Sequence, residues 1–268
     1  MLKHRLITAA ILIPLLLLAI WFLPPRWFAL FVGILVLGAA WEWSGLLKTK
    51  KIVCRYGFTV CVALAMIVSF FLPMMYLMYV SIAAWLWATF VVIRYGQGVK
   101  STGIQYGAAK AVMGVVSLAS FWLSVNILRS FDHGAYILLL ALVLVWAVDT
   151  GGYFAGRILG RHKLIPQVSP KKTWEGFAGG LTLSVAVVAI VCFSYGLEYK
   201  HFLWVLLITV IMCLFAVIGD LFESVLKREA DVKDSGKLLP GHGGLLDRID
   251  SLLAALPIFT LGALFLAS

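Results

Sequence analysis

The sequence predicts an all-α integral membrane protein: a polytopic helical bundle of about nine transmembrane helices, with its N-terminus in the cytoplasm and its C-terminus in the periplasm. Three observations carry that prediction. Hydrophobic residues make up 63% of the 268 and charged residues only 13%, with a mean hydropathy of +1.02. A soluble domain carries about a quarter charged residues, so too little polar surface is present to keep a water-soluble globule in solution. The apolar residues fall into runs of spanning length, about 20 residues each. Finally, the cations are distributed by side.

The runs, in order, are 6–23, 27–47, 58–73, 75–92, 108–128, 135–155, 177–195, 202–222 and 249–267. The first follows Lys3 and Arg5, as a signal peptide would, but it is closed by Pro24-Pro25-Arg26-Trp27 with no small-residue cleavage site, and reads as an uncleaved span. Pro73 marks a tight hairpin between the third and fourth. Taking alternate connections as one side, 19 of the 22 Lys and Arg residues lie with the N-terminus, and only Arg26, Arg129 and Lys200 lie opposite. The positive-inside rule then assigns the basic side to the cytoplasm and Ser268 to the far side. It also accounts for the net charge of +10, which in a soluble chain would raise nucleic-acid binding; no nucleic-acid partner is expected. The four cysteines form no CxxC pair and read as small buried hydrophobes.

Residues 1–268 form a single membrane domain, since no loop is long enough to fold alone. Polar residues divide it unequally. Glu42 and Asp132 are the only acids before Asp149, and the other ten lie from Asp149 onward. Ionisable residues in or beside a span are costly unless paired or functional. Residues 1–133 therefore read as scaffold spans and 134–268 as the part that carries the chemistry, at the cytoplasmic ends of the spans.

Three segments stand out. Asp149-Thr150-Gly151-Gly152 ends the sixth span; the glycines suit either close approach of a ligand or a small-residue helix-packing face, and the two readings weigh equally. Ser169-Pro170-Lys171-Lys172-Thr173-Trp174-Glu175-Gly176 enters the seventh span. A helix start there would offer free N–H groups beside two lysines, which favours phosphate, although a basic cluster on anionic lipid is the commoner use. The third segment, Gly219 to Asp250, is the richest. Asp220 and Glu223 share a helix face, Lys227 follows Glu223 at i+4, and Asp247 and Asp250 repeat the i,i+3 spacing. Such hard oxygen donors suit Mg²⁺. Asp220 and Asp247 are the expected principal ligands, Glu223 and Asp250 the supporting ones, and Asp149 either a further ligand or the group that orients Lys172. Between the pairs, Pro240-Gly241-His242-Gly243-Gly244 can turn backbone N–H groups toward phosphate.

Over this third segment the chain resembles the phosphatidate cytidylyltransferase family, also called CDP-diacylglycerol synthases. Ser224, Lys227, Arg228, Lys233, Asp234, Gly236, Leu239, Pro240, His242, Gly243, Gly244, Asp247, Arg248 and Asp250 meet the family pattern without a gap. The segments around Asp149 and Lys172 are similar to the family's upstream motifs, in the same order, whereas the N-terminal half matches only as apolar spans. The resemblance implies transfer of the cytidylyl group of CTP to phosphatidic acid, giving CDP-diacylglycerol and pyrophosphate. It implies Mg²⁺, leaving open a second metal ion, divalent or monovalent. It implies membrane lipid as partner, placement in the bacterial inner membrane, and leaves a homodimer open. It also implies that Lys172, Lys227 and Arg228 hold phosphate oxygens, with Asp234, His242 and Arg248 in the catalytic set and Ser224, Lys233, Gly243 and Gly244 binding the nucleotide. For His242, bracing the glycine turn is preferred to proton donation.

Other classes fit less well. A cation pathway would place acids near mid-membrane, reached from both sides, and a structural anchor has no use for so many charges beside the last two spans. A CTP-using polyprenol kinase would share the acids and bases but not the unbroken motif.

Overall fold

The computed structural model describes residues 2–49, 51–99, 102–239, 241 and 243–267, the side chains of 2–9 and of 267 excepted. Among these residues the chain forms nine helices: α1 (Leu2–Phe22), α2 (Pro25–Leu46), α3 (Ile52–Ser69), α4 (Met74–Gly96), α5 (Gly107–Ser130), α6 (Gly134–Ile158), α7 (Trp174–Ser194), α8 (Tyr199–Glu229) and α9 (Leu246–Ala267). Helices α2 to α9 are each long and apolar enough to cross a membrane, and α1 contributes the shorter apolar stretch Ala10–Phe22. The predicted spans thus match the helices in number and order. Pro73 stands at the start of α4, closing a short connection from α3.

The largest departures from the expected boundaries are at α3, which starts at Ile52 and not at 58, and at α8. The eighth span was expected to end at Phe222, but α8 continues to Glu229. Its 31 residues extend about 46 Å at 1.5 Å per residue, well beyond a hydrocarbon core of about 30 Å. The helix is therefore longer than the apolar layer, and its last turn carries Lys227 and Arg228. Between α6 and α7 lies an element that hydropathy did not signal, an antiparallel hairpin of β1 (Lys163–Ile165) and β2 (Ser169–Thr173). The helix start expected within 169–176 falls at Trp174, and the residues before it, Ser169–Thr173, are the second strand. The hairpin is seated on the end of α4, where Ile165 packs so closely on Gly96 that a Cβ there would lie 2.5 Å from Ile165 Cγ2.

Helix α5 is the most enclosed, with Ser117 through Val125 buried in succession. The rim helices α1, α3 and α4 expose Leu, Ile, Val and Phe outward, as expected where the surrounding lipid is as apolar as the side chains. Interhelical polar links include Ser81 to Ser120 at 2.9 Å, Ser184 Oγ to Leu144 O at 2.9 Å, Trp122 Nε1 to Ala29 O at 2.9 Å, Trp204 Nε1 to Gly262 O at 3.0 Å and Trp43 Nε1 to Lys110 O at 3.1 Å.

The basic ends gather on one face. Lys48 pairs with Asp231 at 3.7 Å, Lys110 with Glu229 at 4.0 Å and Lys172 with Asp220 at 2.6 Å, joining the ends of α2, α5 and the hairpin to α8. At the other face Arg129 Nε donates to Ile20 O at 2.7 Å, and Trp21 meets Tyr136 edge to face.

Candidate active site

The site is assembled where two close helix crossings meet. At the first, α6 and α7 approach through glycines. A Cβ on Gly179 would lie 2.2 Å from the Ala155 Cβ, one on Gly180 2.4 Å from Val148 O, and one on Gly151 2.7 Å from Gly179 O. The glycines after Asp149 are thereby explained as a packing face: they bring α7 and the strand leading into it within reach of Asp149. At the second crossing, a Cβ on Gly219 would lie 2.5 Å from Asp250 O. That contact sets Asp220 of α8 beside Asp250 of α9.

Lysines bind these acids together across elements. Lys172, on β2, approaches Asp220 Oδ2 at 2.6 Å. Ser224 Oγ lies one turn on, 3.5 Å from the other Asp220 oxygen. Lys227 forms a short ion pair with Glu223 on its own helix and donates to Asp247 Oδ1 on α9 at 2.7 Å. The second Asp247 oxygen accepts from Gly244 N at 2.8 Å, Ser235 Oγ at 2.9 Å and Ser235 N at 3.0 Å. Asp250 Oδ1 accepts from Ser251 N at 2.7 Å. Helix α7 is capped by its own chain, with Gly176 N donating to Thr173 Oγ1 at 3.1 Å. Glu175 turns outward and accepts from the ring and backbone of His162. The lysines of this segment therefore reach the site from a strand, not from an open helix start.

Two cavities meet here. One, of about 400 Å³, is charged: Asp149, Lys171, Lys172, Asp220, Arg248 and Asp250 line it, with Asp247 at its edge. The other, of about 460 Å³, is almost wholly apolar and runs between α1, α2, α5, α6 and α9, past Leu12, Leu16, Phe28, Leu35, Leu142 and Trp146. Asp149 and Arg248 belong to the walls of both.

The donor set suits a divalent cation. Asp149 interacts electrostatically with Asp220, Lys172 and Arg248, and Asp250 with Asp220 and Glu223. Five carboxylates (Asp149, Asp220, Glu223, Asp247, Asp250) thus face four cations (Lys171, Lys172, Lys227, Arg248), an excess of one negative charge when all are ionised. Glu223 is buried, and among the described residues its Oε1 receives no hydrogen-bond donor. Among the described residues no three carboxylates converge tightly enough to hold an ion as they stand, because Lys172 and Lys227 lie between them.

Of the residues singled out in the sequence, Asp149, Lys172, Asp220, Asp247, Arg248 and Asp250 are brought together on the charged cavity. Glu223 and Lys227 lie behind its wall, and Ser224 beside Asp220. Arg228, Lys233 and Asp234 are exposed and line neither cavity. Gly243 has φ +82°, a backbone position that favours glycine. Gly244 already spends its N–H on Asp247, so this part of the turn holds a carboxylate of the chain itself. His242 lies outside the described residues.

The sequence reading passed over Glu42, in the scaffold half. Its carboxylate is buried at 3% exposure and accepts hydrogen bonds from Leu246 N at 2.9 Å and Leu238 N at 3.3 Å, at the base of the charged loop. An acid within an apolar span was a signal in its own right.

Fold and site together define a polytopic membrane protein whose charged cavity, at the ends of its helices, opens against an apolar groove. The model of the cytidylyltransferase family matches residues 3–266, and the chain belongs to that family. It is 38% identical over 261 residues to the phosphatidate cytidylyltransferase of Pseudomonas aeruginosa, covering 97% of this chain and 96% of the relative. It is 34% identical to that of Haemophilus influenzae, covering 97% and 98%. To that of Bacillus subtilis it is 42% identical over 160 residues, covering 57% and 59%.

Proposed function

We propose that this protein transfers the cytidylyl group of CTP to phosphatidic acid in the bacterial inner membrane, with its basic helix ends and its N-terminus facing the cytoplasm. The single observation that carries the reading is the pair of joined cavities. A charged chamber meets an apolar one at Asp149 and Arg248. A lipid with an anionic head and apolar tails fits that junction, with a nucleotide triphosphate entering from the charged side.

The lipid phosphate is already an ionised nucleophile, so the chain needs no Ser or Cys nucleophile. A phosphate oxygen of phosphatidic acid attacks the α-phosphorus of CTP in line. The new P–O bond forms as the bond to the bridging β-oxygen breaks, and pyrophosphate leaves with the electron pair. The protein's task is positioning and neutralising charge. Arg248, at the junction, holds the lipid phosphate. Lys172 and Lys171 receive the triphosphate from the strand side. Asp149, Asp220 and Asp250 would hold Mg²⁺, with Asp247 and Glu223 supporting. When bound, the ion polarises the phosphoryl oxygens and neutralises the leaving pyrophosphate. Lys227 keeps Glu223 and Asp247 at fixed separation, and so fixes the spacing of α8 and α9 behind the chamber.

The test is purified protein in detergent with labelled CTP and phosphatidic acid, with and without Mg²⁺. A Mg²⁺-dependent CDP-lipid product is expected, and its absence under every metal tried overturns the reading. A reporter fused to Ser268 should be active only outside the cytoplasm.

A further inference from the structure

We infer that Glu42, on a helix of the N-terminal half, is a positioning residue that holds the charged loop 234–246 in place and through it sets Asp247 at the active site. The inference rests on the reading of the charged cavity as the catalytic chamber. Glu42 is separated from the loop by about 200 positions of sequence, yet its two carboxylate oxygens serve the loop's backbone. Leu238 N donates to Oε1 at 3.3 Å and Leu246 N to Oε2 at 2.9 Å. Leu246 is the first residue of α9, so the carboxylate serves N–H groups at a helix start, which otherwise lack intrahelical partners.

The loop has been shaped around this carboxylate. A Cβ on Gly236 would lie 1.9 Å from Glu42 Oε1, and one on Gly244 would lie 2.6 Å from Glu42 Oε2. Neither glycine has a positive φ, so glycine is required at both for room and not for backbone conformation. On its other side the same loop is bound to Asp247 through Ser235 and Gly244. Two carboxylates, one from α2 and one from α9, therefore grip one loop from opposite sides. With Glu42 removed, Ser235 and Gly244 lose their fixed position, and Asp247 is left to Lys227 alone. Gly38, one turn before Glu42, adds an apolar contact: its Cβ would lie 3.3 Å from Leu245 Cδ2.

Glu42→Gln keeps the shape but turns one acceptor into a donor facing backbone N–H groups. Gly236→Ala displaces the carboxylate from the loop side while leaving α2 unaltered. Both are compared with the parent enzyme in detergent for thermal melting, steady-state kinetics and trypsin cleavage after the exposed Lys233 and Lys237. The expected result is a melting temperature within a few degrees of the parent and a kcat about 10- to 100-fold lower, the usual range for groups that orient ligands from behind. KM for phosphatidic acid should be little changed. Cleavage after Lys233 and Lys237 should be faster while cleavage after Arg161 is unchanged. Parental kcat in either variant overturns the inference, as does lower melting with unchanged specific activity of the folded fraction. If the parent itself makes no CDP-lipid, the functional reading fails. The loop-holding role then stands or falls on the cleavage pattern, faster cleavage in the variants upholding it and parental cleavage overturning it.

Discussion

Lys172 lies 2.6 Å from Asp220, an ion pair that ties the strand before α7 to α8 at the charged cavity. Both side chains are partly open to the charged cavity, so solvent screens the pair and its contribution to stability is small. Its importance is in placement. Lys172→Met should leave melting within a few degrees of the parent while raising KM for CTP and lowering kcat by about 100-fold, as expected when a preorganised charge at the reacting group is removed. Kinetics against CTP and phosphatidic acid separately check this.

Asp220→Asn tests the metal assignment. It removes one negative charge from a wall on which Asp149, Asp220, Asp247 and Asp250 face Lys171, Lys172 and Arg248. Activity should fall by at least about 100-fold at low Mg²⁺, with partial recovery as Mg²⁺ is raised. Near-parental activity at low Mg²⁺ would remove Asp220 from the ligand set.

Lys227 presents a different case, because its partners Glu223 and Asp247 are buried, at 3% and 7% side-chain exposure. Lys227→Met leaves two adjacent buried carboxylates without their cation, a loss of about 3–5 kcal/mol. Lower melting and lower yield are expected together with lost activity. Adding Glu223→Gln should restore melting in part but not turnover, which a thermal-shift series would reveal.

The α6–α7 crossing predicts sensitivity to a single methyl group. In Gly179→Ala the new Cβ would meet the Ala155 Cβ at 2.2 Å. Overpacking of this kind costs about 1–3 kcal/mol. Since the crossing carries Asp149 on one helix and leads to Lys172 from the other, activity should fall along with melting temperature. Gly196, with nothing near it but a φ of +61°, should tolerate Asn with both properties retained.

The apolar groove predicts a selective kinetic effect. Leu35, on α2, is one of the residues that line it. Leu35→Trp should narrow it, raising KM for long-chain phosphatidic acid about 10-fold by loss of buried apolar contact. KM for CTP should stay at the parental value, and a short-chain phosphatidic acid should be less affected. Equal effects on both substrates would exclude the groove as the site of the acyl chains.

Much of this molecule was legible in the chain because the relevant physics is local or compositional. Apolar runs of spanning length follow from the thickness of the bilayer, and they appear as helices in the expected order. The sided distribution of cations anticipated one basic face, where Lys110 and Lys172 find acids of α8 and Lys48 finds Asp231 just beyond its end. The pairing of Glu223 with Lys227 could be read directly, since four positions along one helix bring side chains together whatever surrounds them. The β1–β2 hairpin could not be read, because five short residues with a proline carry no hydropathy signal that separates a strand from a helix start.

What the tertiary structure alone decided is which groups meet across helices. In a bilayer the core-facing and lipid-facing residues are equally apolar, so the sequence carries little record of how each helix is rotated or where it crosses its neighbours. Those choices rest on glycines such as Gly179, Gly180 and Gly219, whose close contacts bring Asp149 and Asp250 toward Asp220. The same packing gives Asp247 to Lys227 and the loop, and recruits Glu42 from the half that reads as scaffold. The chain by itself thus determined a polytopic bundle with one charged end, and helix packing determined how those charges are paired.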